Sequence, residues 1–300
     1  MDLIKAGTKF DFVRLFKWAV VFSLSLIMVG LASLWYHGGL NYGVDFAGGT
    51  VVHVKFTQPT SIADIRQALE ATDIGNITVQ DFGQGGSEFL IRMPSSETGT
   101  EELSGRVQKG LVARFGEQAF EVRRVDTVGP KVGNDLRRKA LLAVAFSTVM
   151  MGVYVAVRFE PRFGVGAAVA LLHDVLITVG ALSLMGMEFD LTVVAALLTV
   201  TGFSVNDTVV VCDRIRENMR KLRRESLADI INRSINETLS RTIITNGTAI
   251  LVVIVLLFLG GDVIHTFAFA LLVGFTFGTY SSIYVASPIA LLWEKGGKRK

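Results

Sequence analysis

Apolar residues gather into six long runs, at residues 18–37, 139–158, 163–186, 191–212, 243–260 and 264–292. A hydrocarbon core about 30 Å thick takes roughly 20 residues of helix to cross, so each run predicts a transmembrane helix. The one long polar region, 38–138, shows other periods. After the paired Gly48 and Gly49, which suit a tight turn, Val51, Val52, Val54 and Phe56 predict a strand. In SIADIRQALEAT, Ile62, Ile65 and Leu69 share a helical face, with Ser61 as N-cap and Asp64 three residues on. NITVQDFG and SEFLIRMP predict two strands joined by GQGG, TEELSGRVQKGLVARFG a second helix, and AFEVRRVDTVG a last strand. Strand, helix, strand, strand, helix, strand is the order of the ferredoxin-like unit. The expected fold is a six-helix membrane protein carrying a ferredoxin-like α+β domain between its first and second spans.

Composition agrees: half of the 300 residues are hydrophobic and mean hydropathy is +0.47. The charges set the orientation. Lys5, Lys9, Arg14 and Lys17 precede the first span, Arg158 and Arg162 separate the second and third, and eight Arg and Lys between Arg214 and Arg241 separate the fourth and fifth. The tail ends in Lys298, Arg299 and Lys300, whereas MEFD (187–190) and GGDVI (260–264) hold no basic residue. The positive-inside rule then makes 1–17, 213–242 and 293–300 cytoplasmic and puts 38–138 across the membrane. The net charge of +3 reflects this topology and is no sign of nucleic-acid binding. The first run is too long for a signal peptide, and Trp35, Tyr36 and His37 at its end do not form a small-residue cleavage site. A single cysteine, Cys212, excludes an internal disulfide and a cysteine metal cluster.

Within the 213–242 loop, Ser226 and Asp229 make a capping box, and Leu227, Ile230, Ile231, Ile235 and Leu239 form an apolar stripe. An amphipathic helix lying on the membrane surface is expected there. The basic stretch RENMRKLRRE before it reads as the orientation signal, with anionic lipid contact a further use. Gly274 and Gly278 form a GxxxG that suits helix packing. In the polar domain His53 alternates with valines as a solvent-facing strand residue, and the region shows no nucleophile and base at a recognisable spacing. It reads as a binding or lever domain, so no enzyme is expected.

Ionisable groups inside the spans are the candidate chemistry. A carboxylate at the bilayer centre costs on the order of 2.5 to 3.5 kcal/mol, so such groups face protein or water and mark function. Counting back from Asp213, Asp207 lies about 9 Å inside the fourth span. Arg241, at the start of the fifth, can reach toward that depth or else extend to the lipid headgroups. Asn206, Thr208, Thr242, Thr245 and Asn246 add polar groups nearby. His173 and Asp174 lie roughly 15 Å deep in the third span. These positions predict a proton pathway through Asp207 and Arg241, with Asp174, His173, Asn206 and Asn246 as a secondary relay. Protons are the expected coupling ion and no cofactor is expected.

NYGVDFAGGT, VGPKVGNDL, LLHDVLITVGAL, GFSVNDTVVVCDRIREN, SRTIITNGT and GTYSSIYVASPIALLW together resemble the SecF family. These are the smaller subunits of the bacterial SecD and SecF protein-export complexes, relatives of the RND transporters. The family's intramembrane aspartate and arginine match Asp207 in NDT and Arg241 in SRT. The resemblance implies an inner-membrane protein that works with SecD beside the Sec translocon channel. There the proton-motive force moves periplasmic domains that draw unfolded polypeptide outward, with Asp207 carrying the proton and Arg241 modulating it. A small accessory membrane protein and membrane lipid complete the expected partners. Because the chain opens with Met1 and a basic leader, a subunit separate from SecD is the simpler expectation. Three other readings stand beside it. One is half of a proton-coupled RND exporter for lipid or hydrophobic small molecules, for which the polar domain is small. Another is an intramembrane hydrolase using His173 and Asp174, which lacks a nucleophile. The third is a scaffold in which Asp207 and Arg241 form a permanent pair.

Overall fold

Among the described residues of the computed structural model, six helices are long and apolar enough to cross a membrane. The structure describes residues 10–70, 72, 77–82, 86–94 and 100–296. Lys5, Lys9, the start of the GQGG turn and the basic tail lie outside them. The first span is α1 (Phe12–Tyr36). A short α2 (Val44–Ala47) leads into the α+β domain, built from β1 (Gly49–Phe56), α3 (Ile62–Glu70), β2 (Thr78–Asp81), β3 (Glu88–Pro94), α4 (Thr100–Phe115) and β4 (Phe120–Val128). The remaining spans are α5 (Pro130–Arg158), α6 (Pro161–Leu184), α7 (Leu191–Lys221), α8 (Leu227–Leu259) and α9 (Asp262–Ser281). A π-helical turn (Ser282–Ala286) joins α9 to α10 (Ser287–Gly296).

The sheet order is β2-β3-β1-β4 with every neighbouring pair antiparallel, the ferredoxin-like arrangement. Strand alternation turns Val52, Val54, Phe56, Phe89, Ile91 and Met93 onto one face, where Ile65, Leu69, Val107 and Leu111 of α3 and α4 cover them. Ser61 starts α3, accepting from the Asp64 amide at 3.1 Å and donating to its carboxylate at 2.6 Å. The opposite sheet face carries His53, Lys55, Glu88 and Arg92. His53 is half-buried and meets Glu88 at 3.0 Å, so it belongs to a surface ion-pair cluster with Lys55. The Lys55 hydrogen bond holds the Glu88 carboxyl below its ordinary value.

The helices outrun the apolar stretches. Pro130 occupies the first turn of α5, where a missing N–H costs nothing, so that helix begins well before residue 139. The surface helix expected in the 213–242 loop is corrected by the structure: residues from Leu227 onward form the first part of α8, continuous with the fifth span. Leu227, Ile230, Ile231, Ile235 and Leu239 are buried against Ile215 of α7 and Phe12 and Phe16 of α1. Protein therefore covers the stripe, and nothing between Leu239 and Ile243 breaks the helix. Ser226 does cap it, accepting from the Asp229 amide at 3.2 Å. Asn232 and Asn236 in turn cap the start of α1 by accepting from Phe12 and Phe10 amides at 2.8 and 2.9 Å.

Spans α1 and α6 touch backbone to backbone. A Cβ placed on Gly180 would lie 2.9 Å from the Gly30 Cα, whereas one placed on Gly247 meets nothing within 4 Å. Gly180→Val should therefore force these helices apart, at about 1 to 3 kcal/mol for overpacking. Gly247→Ala should stay within about 0.5 kcal/mol of the parent. Thermal unfolding in detergent checks both.

Candidate functional site

Helix α8 presents Thr242 and Asn246, one turn apart, to the same face of α7. Between them they reach both oxygens of Asp207, which is 4% exposed. Asn246 Nδ2 donates to Oδ2 at 2.9 Å and Thr242 Oγ1 donates to Oδ1 at 3.2 Å. Arg241 is adjacent to Thr242 in sequence, hence turned about 100° around α8, and its side chain is exposed. It makes no ion pair with Asp207 in this structure. Asn206 likewise faces outward from α7, while Thr208 is buried against Ser282 at 2.9 Å and Thr245 is half-buried.

The partners of Asp207 can serve either protonation state. A hydroxyl donates or accepts, and a carboxamide turned over offers oxygen in place of nitrogen. An ionised Asp207 takes two hydrogen bonds, and a protonated one can return one to Asn246. A lysine or arginine partner could only donate, and would fix the carboxylate in its charged form. Asn246→Ala removes the shorter of the two bonds, worth about 1 to 3 kcal/mol when the acceptor stays buried. It should slow any process that cycles Asp207 through both states by about tenfold, measured as the proton-driven rate in vesicles.

His173 and Asp174 form a separate cluster with α1, α7 and α9. Asp174 is 0% exposed, His173 Nδ1 lies 2.9 Å from its Oδ1, and Ser204 and Ser281 donate to Oδ2 at 2.7 and 2.8 Å. This cluster is joined to the Asp207 site through α7, where the Thr208 hydroxyl donates to the Ser204 carbonyl one turn away at 3.2 Å, and through Ser282, which follows Ser281 and meets the Thr208 hydroxyl at 2.9 Å.

The α+β domain is tied to the helix that carries Asp207. Gly48, with φ +76°, turns the chain from α2 into β1 where a Cβ would lie 3.0 Å from the Pro130 Cα. Just before it, the Phe189 amide donates to Asn41 O at 2.7 Å, and Asp45 Oδ2 accepts from the first amide of α7, Leu191 N, at 3.1 Å. From the open face of the sheet, Arg92 pairs with Glu188 in the α6–α7 loop, and Gln80 donates to Glu188 at 3.3 Å. Burial pushes the Arg92 guanidinium down from its ordinary value, opposed by the charges of Asp190 and Asp45. Sequence reasoning did not find this clasp, because its members lie about a hundred residues apart and each alone reads as a surface charge.

Comparison with known proteins places these features. The SecD/SecF GG motif matches residues 34–60, which include Gly48 and Gly49, and the family described as protein export membrane protein SecD/SecF, C-terminal, matches 107–296. A protein translocase subunit SecF from Magnetococcus marinus is 48% identical, with the match covering 100% of this chain and 97% of that one. Its counterpart from Vibrio alginolyticus is 47% identical over 97% and 91%. The crystal structure of SecDF, a translocon-associated membrane protein from Thermus thermophilus, superposes with a TM-score of 0.85 at 37% identity. That match covers 98% of this chain and 40% of the SecDF chain. SecDF in a super-membrane-facing form gives a TM-score of 0.72 at the same identity. With well over half of its length inside the C-terminal family match and relatives near half identical end to end, the chain belongs to the SecD/SecF family of protein export membrane proteins.

Proposed function

We propose that this chain is the SecF half of a SecD–SecF export machine in which Asp207 takes up and releases the proton that drives polypeptide movement. The observation that carries the reading is a buried intramembrane carboxylate held only by partners that suit both its charged and neutral forms. Both termini are cytoplasmic and the α+β domain is periplasmic in this reading, which follows the basic residues of the loops. The coupling ion is the proton and no cofactor takes part.

SecD is the partner half. Asn206 on α7 and Arg241 on α8 are polar and exposed along apolar segments. Lipid covers such groups poorly, and a second six-span half offers them partners. Arg241 then modulates Asp207 from the interface, approaching in one state and withdrawing in another. The α+β domain, clasped to the start of α7 through Glu188 and Asp45, turns displacement of that helix into movement over the translocon channel and the emerging unfolded polypeptide. A small accessory membrane protein and lipid border the same assembly. The chain also fits two solved SecDF structures unequally, with TM-scores of 0.85 and 0.72, as expected of a family that rearranges.

The test is release of an exported protein from vesicles holding the chain with SecD, after ATP is exhausted. Imposing a proton gradient should accelerate release and an uncoupler should cancel the gain; equal rates with and without the gradient would sink the reading. Arg241→Lys should lower the proton-driven rate although the charge is kept, because the planar donor fork is lost. A full rate with lysine would reduce Arg241 to an anchor at the headgroups.

A further inference from the structure

The hydrogen-bond directions around His173 fix how many protons the cluster holds. Tyr280 must donate its one hydroxyl proton to the Ala19 carbonyl, 2.8 Å away, since a carbonyl cannot donate. Ser23, 3.2 Å from the Tyr280 hydroxyl, therefore donates to it and spends its own proton there. His173 Nε2, 3.1 Å from Ser23 Oγ, is left to donate. At the other side of the ring, Nδ1 faces Asp174 Oδ1 at 2.9 Å, and one proton must lie between them. With Nε2 already protonated, that proton makes either an imidazolium beside a carboxylate or a neutral imidazole beside a carboxylic acid. Both forms are neutral overall, so the pair escapes the cost of a net charge in the membrane.

Two further donors decide between these forms. Ser204 donates to Asp174 Oδ2 at 2.7 Å, and Ser281 has both Oδ2 at 2.8 Å and the Gly278 carbonyl at 3.1 Å as acceptors for its one proton; when it takes the shorter bond, three donors on one carboxylate favour its ionised form. Ser281 ends α9, and the next residue, Ser282, opens the π-helical turn. The turn is held by the Ser287 hydroxyl on Ser282 O at 3.2 Å, and Gly166 of α6 packs on it so tightly that a Cβ would lie 2.7 Å from the Ala286 carbonyl. π-helical turns inside α-helices recur at functional sites. A change of this turn to regular helix would rotate Ser281 and alter the donors on Asp174. Within two turns of Ser281 and Ser204 the titratable groups of α9, its π turn and α7 are Tyr280, Tyr284 and Asp207, while His265 of α9 and Cys212, Asp213 and the charged residues after them on α7 lie farther along their helices. Between Ala19 and Ser33 α1 has none, and the apolar part of α5 has only Tyr154, which is exposed.

We propose that His173 and Asp174 form a second proton-binding site, holding one shared proton whose place on imidazole or carboxylate is set by the hydroxyls of Ser204 and Ser281. The site stands on its own geometry; its part in export rests on the proton-coupled reading above. The chain has four histidines, His37, His53, His173 and His265, so nitrogen NMR of the ¹⁵N-histidine-labelled full chain in bilayers can resolve them, with His173→Gln as the assignment. Both His173 nitrogens should be protonated at neutral pH. In Ser204→Ala/Ser281→Ala the proton should pass to the carboxylate: the Nδ1 signal shifts to the unprotonated position, and a carboxylic-acid infrared band appears that Asp174→Asn removes. Ser281→Ala alone should move the same signals part of the way, which covers a double variant that folds poorly. Asp207→Asn should leave the His173 signals in place, so failure of the Asp207 reading is distinguishable. An Nδ1 that is unprotonated in the parent chain, or one that ignores loss of both serines, overturns the proposal.

Discussion

Asp207→Asn should leave the chain folded, in the membrane and bound to SecD, yet reduce proton-driven release of exported protein to the rate seen without a gradient. The amide has nearly the shape of the carboxyl and can still hydrogen-bond to Thr242 and Asn246, so packing between α7 and α8 loses little. What it loses is the ability to gain and shed a proton. One proton moving through 100 mV releases about 2.3 kcal/mol, which biases a conformational equilibrium roughly fiftyfold. Without a titrating group that bias vanishes entirely, so the variant should be insensitive to the gradient and not merely slower. Asp207→Glu keeps the acid but adds a methylene to a filled site, and should retain partial response. Release is measured in vesicles with ATP exhausted, with and without uncoupler. An Asp207→Asn chain that still responds to the gradient would end the carrier role.

Much of this was legible in the sequence, for reasons that differ by feature. The six spans and the four strands follow from hydrophobic period alone, which is why their order emerged correctly. Asp207 stood out because a carboxylate among apolar residues has few innocent explanations, and Asn246 and Thr242 were placed at its depth by helical rise. The orientation of Arg241 was not legible: one residue of phase around α8 separates facing Asp207 from facing outward, and register between two helices is set by side-chain packing. The outward direction of Asn206, expected among the relay residues, was not legible for the same reason. Continuity of α8 was hidden because hydropathy marks where lipid begins, and a helix can continue beyond it. The His173 ring draws Ser23 from 150 residues away, and only folding shows that pairing.

Breaking the clasp between Arg92 and Glu188 should separate proton movement from polypeptide movement. Arg92→Ala leaves Asp207 and its partners untouched, because it acts at the start of α7, about 24 Å of helical rise before Asp207, where Glu188 and Asp45 join the domain to the helix. Both clasp side chains retain about a fifth of their exposure, 23% and 21%. The loss is therefore smaller than for a fully buried pair, about 1 to 2 kcal/mol. Proton-driven release should fall about tenfold, while proton flux across the same vesicles, read with a pH-sensitive dye, stays near the parent level. The exchanged pair Arg92→Glu/Glu188→Arg sharpens the test. It restores a bond of opposite charges, but the new glutamate would stand in the field of Asp45 and Asp190, which now favours a cation at residue 92. Rescue should accordingly be partial, well above Arg92→Ala and below the parent. If Arg92→Ala instead lowers flux and release together, the domain and the proton site are linked by some route other than this clasp, and the transmission assigned to the α6–α7 loop is wrong.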